Sequence, residues 1–168
     1  MITIFKIFEQ KNSKCRFDFS ILDKVDFETF YQLFFNYIYE KTNFYQCIKD
    51  YIDFGLDINY ISKTTAILPL LRYAAAYTDG SLRLLLNNGA DPNIQGVDSF
   101  TPLMIACHNE IIENVILLLD AGADPLIKNN QQKTAYDYLF YNFKDELKKY
   151  PDIYNKLKKG KEVKRFNI

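Results

Sequence analysis

Cys107 and His108 are adjacent, and a thiol beside an imidazole is the raw material of a nucleophile and its base. His108 is the only histidine in the chain, so any imidazole chemistry would have to run through it. The apolar spacing around the pair reads as a helix, on which consecutive side chains point about 100° apart and do not face each other. A free cysteine in such a run is ordinarily a buried filler. No C-x-x-C, H-E-x-x-H or EF-hand loop is present to hold a metal, and there is no P-loop or G-x-G-x-x-G to cradle phosphates. Asp91 and Asp124 recur 33 residues apart, but each follows a helix end, where a turn carboxylate ordinarily accepts backbone amides. The chain is therefore expected to have no catalytic residues, no metal and no cofactor.

The elements that would position any site are written twice. Leu82-Arg83-Leu84-Leu85-Leu86-Asn87-Asn88-Gly89-Ala90-Asp91-Pro92-Asn93 is matched by Val115-Ile116-Leu117-Leu118-Leu119-Asp120-Ala121-Gly122-Ala123-Asp124-Pro125-Leu126, at an offset of 122 minus 89, or 33. Pro69-Leu70-Leu71 returns as Pro102-Leu103-Met104, and Thr101 as Thr134, at the same offset. A fixed period of this size signals stacked repeats rather than a single-core fold. Thr101 can cap a helix start, and Pro102 sits at the first helical position, where its missing N–H costs nothing. Gly89 and Gly122 suit the left-handed conformation that closes a helix, and the Asp-Pro that follows forbids continuation. Helices of about ten residues are marginal alone in water, so each unit must lean on its neighbours.

On these residues the chain resembles the ankyrin repeat family, with its turn and two helices per unit. Thr101-Pro102-Leu103-Met104-Ile105-Ala106 is similar to the family opening T-P-L-H-x-A, with Met104 in place of the histidine. The resemblance implies an all-α ankyrin-repeat solenoid of about four helix-pair units, and it places Cys107 where the family carries a second small alanine.

Gly55-Leu56-Asp57-Ile58-Asn59 copies the terminator 34 residues before Gly89, so 26–59 reads as a degenerate first unit. The following units are 60–93, 94–126 and a C-terminal cap unit 127–150, whose closing helix is expected over Phe143 to Tyr150. Residues 1–25 lie outside the pattern. Cys15, Phe17, Phe19 and Ile21 alternate with polar residues after a turn-like Lys11-Asn12-Ser13-Lys14, which suggests an N-terminal β-hairpin cap. Ile4, Ile7 and Phe8 also satisfy a helical spacing, so the alternative stays open. Residues 151–168 read as a basic, solvated C-terminal tail: from Lys144 onward nine bases meet four acids, leaving −5 for the rest of a chain whose formal charge is zero.

That balance gives no global attraction to nucleic acid or an anionic membrane. No apolar run approaches the roughly 20 residues needed to span a bilayer, and the start lacks a secretory pattern. Three scattered cysteines, Cys15, Cys47 and Cys107, fit a reducing compartment. A cytoplasmic protein is expected, or one delivered to a host cytosol without a recognisable signal. What remains is surface. In ankyrin proteins the fingers and the exposed side of each first helix line a groove that binds protein partners. Carried over by position, the candidates are Val97, Asp98 and Phe100 in one finger, His108 and Asn109 at the end of the next helix, and Lys128, Asn130, Gln131 and Lys133 in the following finger, with Lys63 and Thr65 added from the first. Phe100 and Val97 must either fold back on their own repeat or await a partner. The expected function is a non-catalytic protein-binding module, used as a microbial effector or as a small inhibitor or immunity-type protein. No small-molecule substrate is expected.

Overall fold

The computed structural model describes residues 21, 24–39, 44–62, 69–78, 80–139 and 141–162. Every regular element among them is helical. The N-terminal hairpin, and the finger positions Lys63 and Thr65, lie outside these residues. The chain divides into two units, Met1–Asp57 and Ile58–Ile168.

In the first unit, α1 (Phe27–Tyr39) and α2 (Phe44–Asp53) pack together, and their apolar residues recur at helical spacing. Asp26 starts α1, accepting the Thr29 N–H at 3.0 Å and its hydroxyl at 2.7 Å. Phe30, Phe34, Ile38, Ile48 and Tyr51 are fully buried, and the Phe34 and Tyr51 rings meet at 4.8 Å. Each such aromatic contributes about 1.5–3 kcal/mol by leaving water. The polar tip of Tyr51 is satisfied by the Asp57 carbonyl at 2.8 Å. Gly55, at φ 77, then ends α2.

The second unit carries the repeats. Its inner helices are α3 (Leu70–Ala74), α5 (Pro102–His108) and a short 3-10 turn, Ala135–Tyr138; its outer helices are α4 (Ser81–Asn87), α6 (Ile112–Asp120) and α7 (Tyr141–Leu147), followed by α8 (Pro151–Glu162). Neighbouring inner elements pack together, α3 on α5 and α5 on the 3-10 turn, and α3 and α5 each pack on their own outer helix. Thr101 caps α5, accepting the Met104 N–H at 3.3 Å, with Pro102 at the first position. Leu82, Leu85, Leu103, Met104, Val115 and Leu118 fill the interior.

The two glycine corners match. Gly89 and Gly122 have φ 87 and 91. Each closes its helix with the same double bond, Gly89 N–H to Leu86 and Ala90 N–H to Leu85 in one, Gly122 N–H to Leu119 and Ala123 N–H to Leu118 in the other. A side-chain ladder ties the layers. Asn59 donates to the Gly89 carbonyl at 3.1 Å and accepts the Asp91 N–H at 2.8 Å; Asn93 repeats this on Gly122 and Asp124 at 3.3 and 2.7 Å. Asp91 and Asp124 spend their carboxylates on the amides of Asn93 and Leu126 at 2.9 and 2.8 Å, so both are turn residues. Buried Asn114 of α6 reaches across to the carbonyls of Ala75 and Tyr77 at 3.1 and 2.8 Å, closing the exposed end of α3.

The C-terminal region departs from expectation. The last inner helix is only a 3-10 turn: it lacks the proline, and Asp137 folds back to accept the Thr134 N–H and hydroxyl at 2.9 and 3.0 Å. The closing helix is Tyr141–Leu147, starting and ending earlier than Phe143 to Tyr150. The region read as a solvated tail contains α8, in which Leu157 is fully buried and Ile153 and Tyr154 are half-buried. Pro151 pre-sets the first turn, and this narrow apolar stripe, interleaved with lysines, docks on α7 and the 3-10 turn.

Candidate functional site

Two fingers, 94–101 and 127–134, are built as the same turn one repeat apart. Ser99 N–H bonds the Gly96 carbonyl and Gln132 N–H bonds the Asn129 carbonyl, both at 2.9 Å, and Ser99 and Gln132 share a left-handed φ of 58 and 59. They are also fastened to each other. The Ser99 hydroxyl donates to Asn130 Oδ1 at 2.7 Å, Asn130 Nδ2 donates to the Val97 carbonyl at 3.2 Å, and Gln95 Nε2 reaches both the Ser99 and the Lys128 carbonyls.

Each finger is anchored differently. In the first, Asp98 holds the guanidinium of Arg72 in a two-pronged ion pair, 2.6 Å to Nη1 and 2.9 Å to Nη2, and accepts the Phe100 N–H at 3.2 Å. Arg72 sits inside α3 at 2% exposure, whereas Asp98 keeps 45% of its side chain in water. Burial of Asp98 pushes its carboxyl up, but the bonds and positive charge of Arg72 outweigh that and hold it below the usual carboxylate range. Gly96 belongs to this arrangement, because a Cβ there would stand 2.7 Å from Arg72 Nη1. In the other finger buried Asn129 accepts the amides of Gln131 and Lys133 at 2.9 and 3.1 Å and donates to the Tyr138 hydroxyl at 2.6 Å.

Between the anchors runs a strip of rings and cations. Arg72 lies 5.7 Å over the Phe100 ring, Phe100 meets Tyr138 at 5.1 Å, His108 meets Tyr138 edge-on at 6.1 Å, and the Lys133 ammonium stands 5.5 Å over the Tyr138 ring. Of the residues singled out from sequence, Phe100, His108 and Lys133 therefore converge on one aromatic centre. Phe100 is half-buried against Arg72 and Tyr138, which belong to the units before and after its own, instead of folding back on its own repeat; Val97 stays 46% exposed at the tip. Asp98 is committed internally. Asn130 works as a tie between fingers, Asn109 is the exposed end residue of α5, and Lys128 and Gln131 are exposed.

Two members of the strip were missed from sequence, Arg72 and Tyr138. Their signal is positional: 72, 105 and 138 are 33 apart, so Arg72, Ile105 and Tyr138 occupy one position of successive inner helices. A charged residue within Leu70-Leu71-Arg72-Tyr73-Ala74 also demands a carboxylate, since a buried charge is paired or expelled.

Cys107 and His108 do not cooperate. Cys107 is fully buried and burial pushes its thiol far above the ordinary range, whereas His108 is exposed. No group of three or more potential metal ligands occurs among the described residues.

A family profile described as ankyrin repeats (many copies) matches residues 84–139, which hold both glycine corners and both fingers. Residues 84–139 carry ankyrin repeats. The chain is similar to a putative ankyrin repeat-containing protein of Treponema pallidum (strain Nichols), 31% identical over 84 residues, covering 50% of this chain and 28% of that protein. It is also similar to an ankyrin repeat and LEM domain-containing protein 1 homolog of Caenorhabditis elegans, 33% identical over 94 residues, 54% of this chain and 13% of that protein. The chain thus spans under a third of the length of either relative. The ankyrin profile takes in Asp98, Phe100, His108, Lys133 and Tyr138 and leaves out Arg72.

Proposed function

We propose that this ankyrin chain is a non-catalytic module that binds a protein partner through the fingers 94–101 and 127–134 and the groove-facing ends of α5 and the 3-10 turn. The observation that carries the reading is the Phe100–Tyr138–His108 strip with Lys133 over it, formed where α5 and the 3-10 turn meet two fingers that are bonded to each other. A surface ordered in advance loses little side-chain freedom on association, and clustered aromatics with cations are the residue types that anchor interfaces. On this reading the module acts by occupying a partner's surface. Use as an effector that engages a host protein, or as an inhibitor that masks a toxin or enzyme, would both rest on this contact.

The test is affinity capture with mass spectrometry, comparing the natural chain with Val97→Ser/His108→Ala. Both side chains are exposed, so the double variant should keep its melting temperature within a few degrees and lose the captured partner. Phe100→Ala is the poorer probe, because Phe100 is packed between Arg72 and Tyr138. Undiminished capture by the double variant would place the binding face elsewhere.

A further inference from the structure

The charges along the groove do not balance once those already engaged are set aside. Arg72 and Asp98 neutralise each other, and Asp137, whose carboxylate accepts the Thr134 N–H and hydroxyl, keeps one negative charge against the two positive charges of Lys128 and Lys133. Lys128 and Lys133, carried by the two sides of one finger, are exposed, and neither has a carboxylate within ion-pair distance among the described residues. The Lys133 ammonium stands over the Tyr138 ring, which favours its staying at this face. Beside it lie the half-buried Phe100 ring and the exposed Val97.

We infer that the segment entering this groove is an acidic peptide, with one or two carboxylates opposite Lys128 and Lys133 and a neighbouring apolar side chain against Val97, Phe100 and Tyr138. The inference rests on the binding-module reading above and adds the partner's chemistry. Charges at an interface rim set partner choice and encounter rate more than raw affinity, and they fade as salt screens them. A basic segment would be repelled by the two ammonium groups and a neutral one would forgo their attraction, and the adjacent apolar contacts distinguish a peptide from a bare anion.

The probe is a phage-displayed library of random dodecapeptides selected on the full chain at low salt, with the winners resynthesised and titrated. The inference expects Asp or Glu next to Leu, Phe or Tyr in the selected sequences. Affinity should weaken about fivefold to tenfold in Lys128→Gln/Lys133→Gln, consistent with two rim charges, with partial recovery in Lys128→Arg/Lys133→Arg. Peptides lost by Val97→Ser/His108→Ala but without acidic enrichment, and indifferent to the lysine substitutions, would overturn the inference while leaving the groove reading intact. Peptides indifferent to both sets of substitutions, or no selected peptide at all, would overturn both. A single-stranded oligothymidine that binds more tightly than any peptide and is lost in the glutamine variant would also overturn it, assigning the lysines to phosphate.

Discussion

At the scale of residues, the most consequential side chain outside the repeat pattern is Arg72. Its guanidinium is buried, its Nε finds no acceptor, and Asp98 supplies the compensation for its charge. Asp98→Asn keeps the shape and removes the charge, and it is expected to cost about 3 kcal/mol at neutral pH, because it leaves the buried Arg72 guanidinium without a counter-charge while the asparagine oxygen can still accept one of its hydrogen bonds. The pH dependence follows from the sign of the shift. A carboxyl held below its ordinary value in the folded chain stabilises the fold fully above that ordinary value. The contribution is lost as acid titrates it, below about pH 4. Urea unfolding from pH 7 down to pH 2 should therefore show a shallower acid decline in Asp98→Asn than in the natural chain; parallel curves would mean the ion pair contributes nothing. A charge inside an apolar helix marks Arg72 in the sequence, but its partner carries no mark, because the two are 26 residues apart and follow no period. Asp98 read as a free groove residue for that reason.

At the scale of elements, the corners were legible and the joints between them were not. Glycine at φ near 90 leaves a residue-type signature, since only glycine takes that conformation without strain, and so Gly89 and Gly122 announced their corners. The asparagine ladder has no such signature, because its bonds run from one corner to the next. Asn93→Ala removes two hydrogen bonds between layers and should cost about 1–2 kcal/mol in chemical denaturation. An unchanged midpoint would show the ladder to be decorative. The ladder also explains the C-terminal end. Leu126 stands where Asn93 stood one repeat earlier and offers no amide to a further corner. α5 closes with the same double bond as the glycine corners, Glu110 N–H to Cys107 and Ile111 N–H to Ala106, but with Glu110 at φ 58. Glu110→Gly should relieve that conformation and stabilise by about 1 kcal/mol. A lower melting temperature would show that the glutamate is held there by something stronger than backbone preference. α8 escaped the sequence reading because its lysine run hid the Ile153, Tyr154 and Leu157 stripe. Leu157→Ala should cost about 2–3 kcal/mol and shift the thermal midpoint down, and an unshifted midpoint would detach α8 from the stack.

At the scale of the whole molecule, the second unit is a row of layers whose fingers are clamped together before any partner arrives. Rigid stacking carries the account. Two finger turns of like form, bonded through Ser99, Asn130 and Gln95, flank one aromatic centre with the Lys133 ammonium over it, and exposed Lys128 lies on the same finger as Lys133. Repeat spacing pointed to Phe100, His108 and Lys133 individually, whereas their convergence needed Tyr138, which only the stacked geometry supplies. The most direct test is to record two-dimensional amide and side-chain NMR spectra of the full chain while titrating a bound peptide or the captured partner. The account expects the shifts to concentrate at Val97, Phe100, His108, Lys128, Lys133 and Tyr138, with α8 unmoved. Shifts confined to α8 or to the outer helices α4 and α6, with the fingers silent, would contradict it.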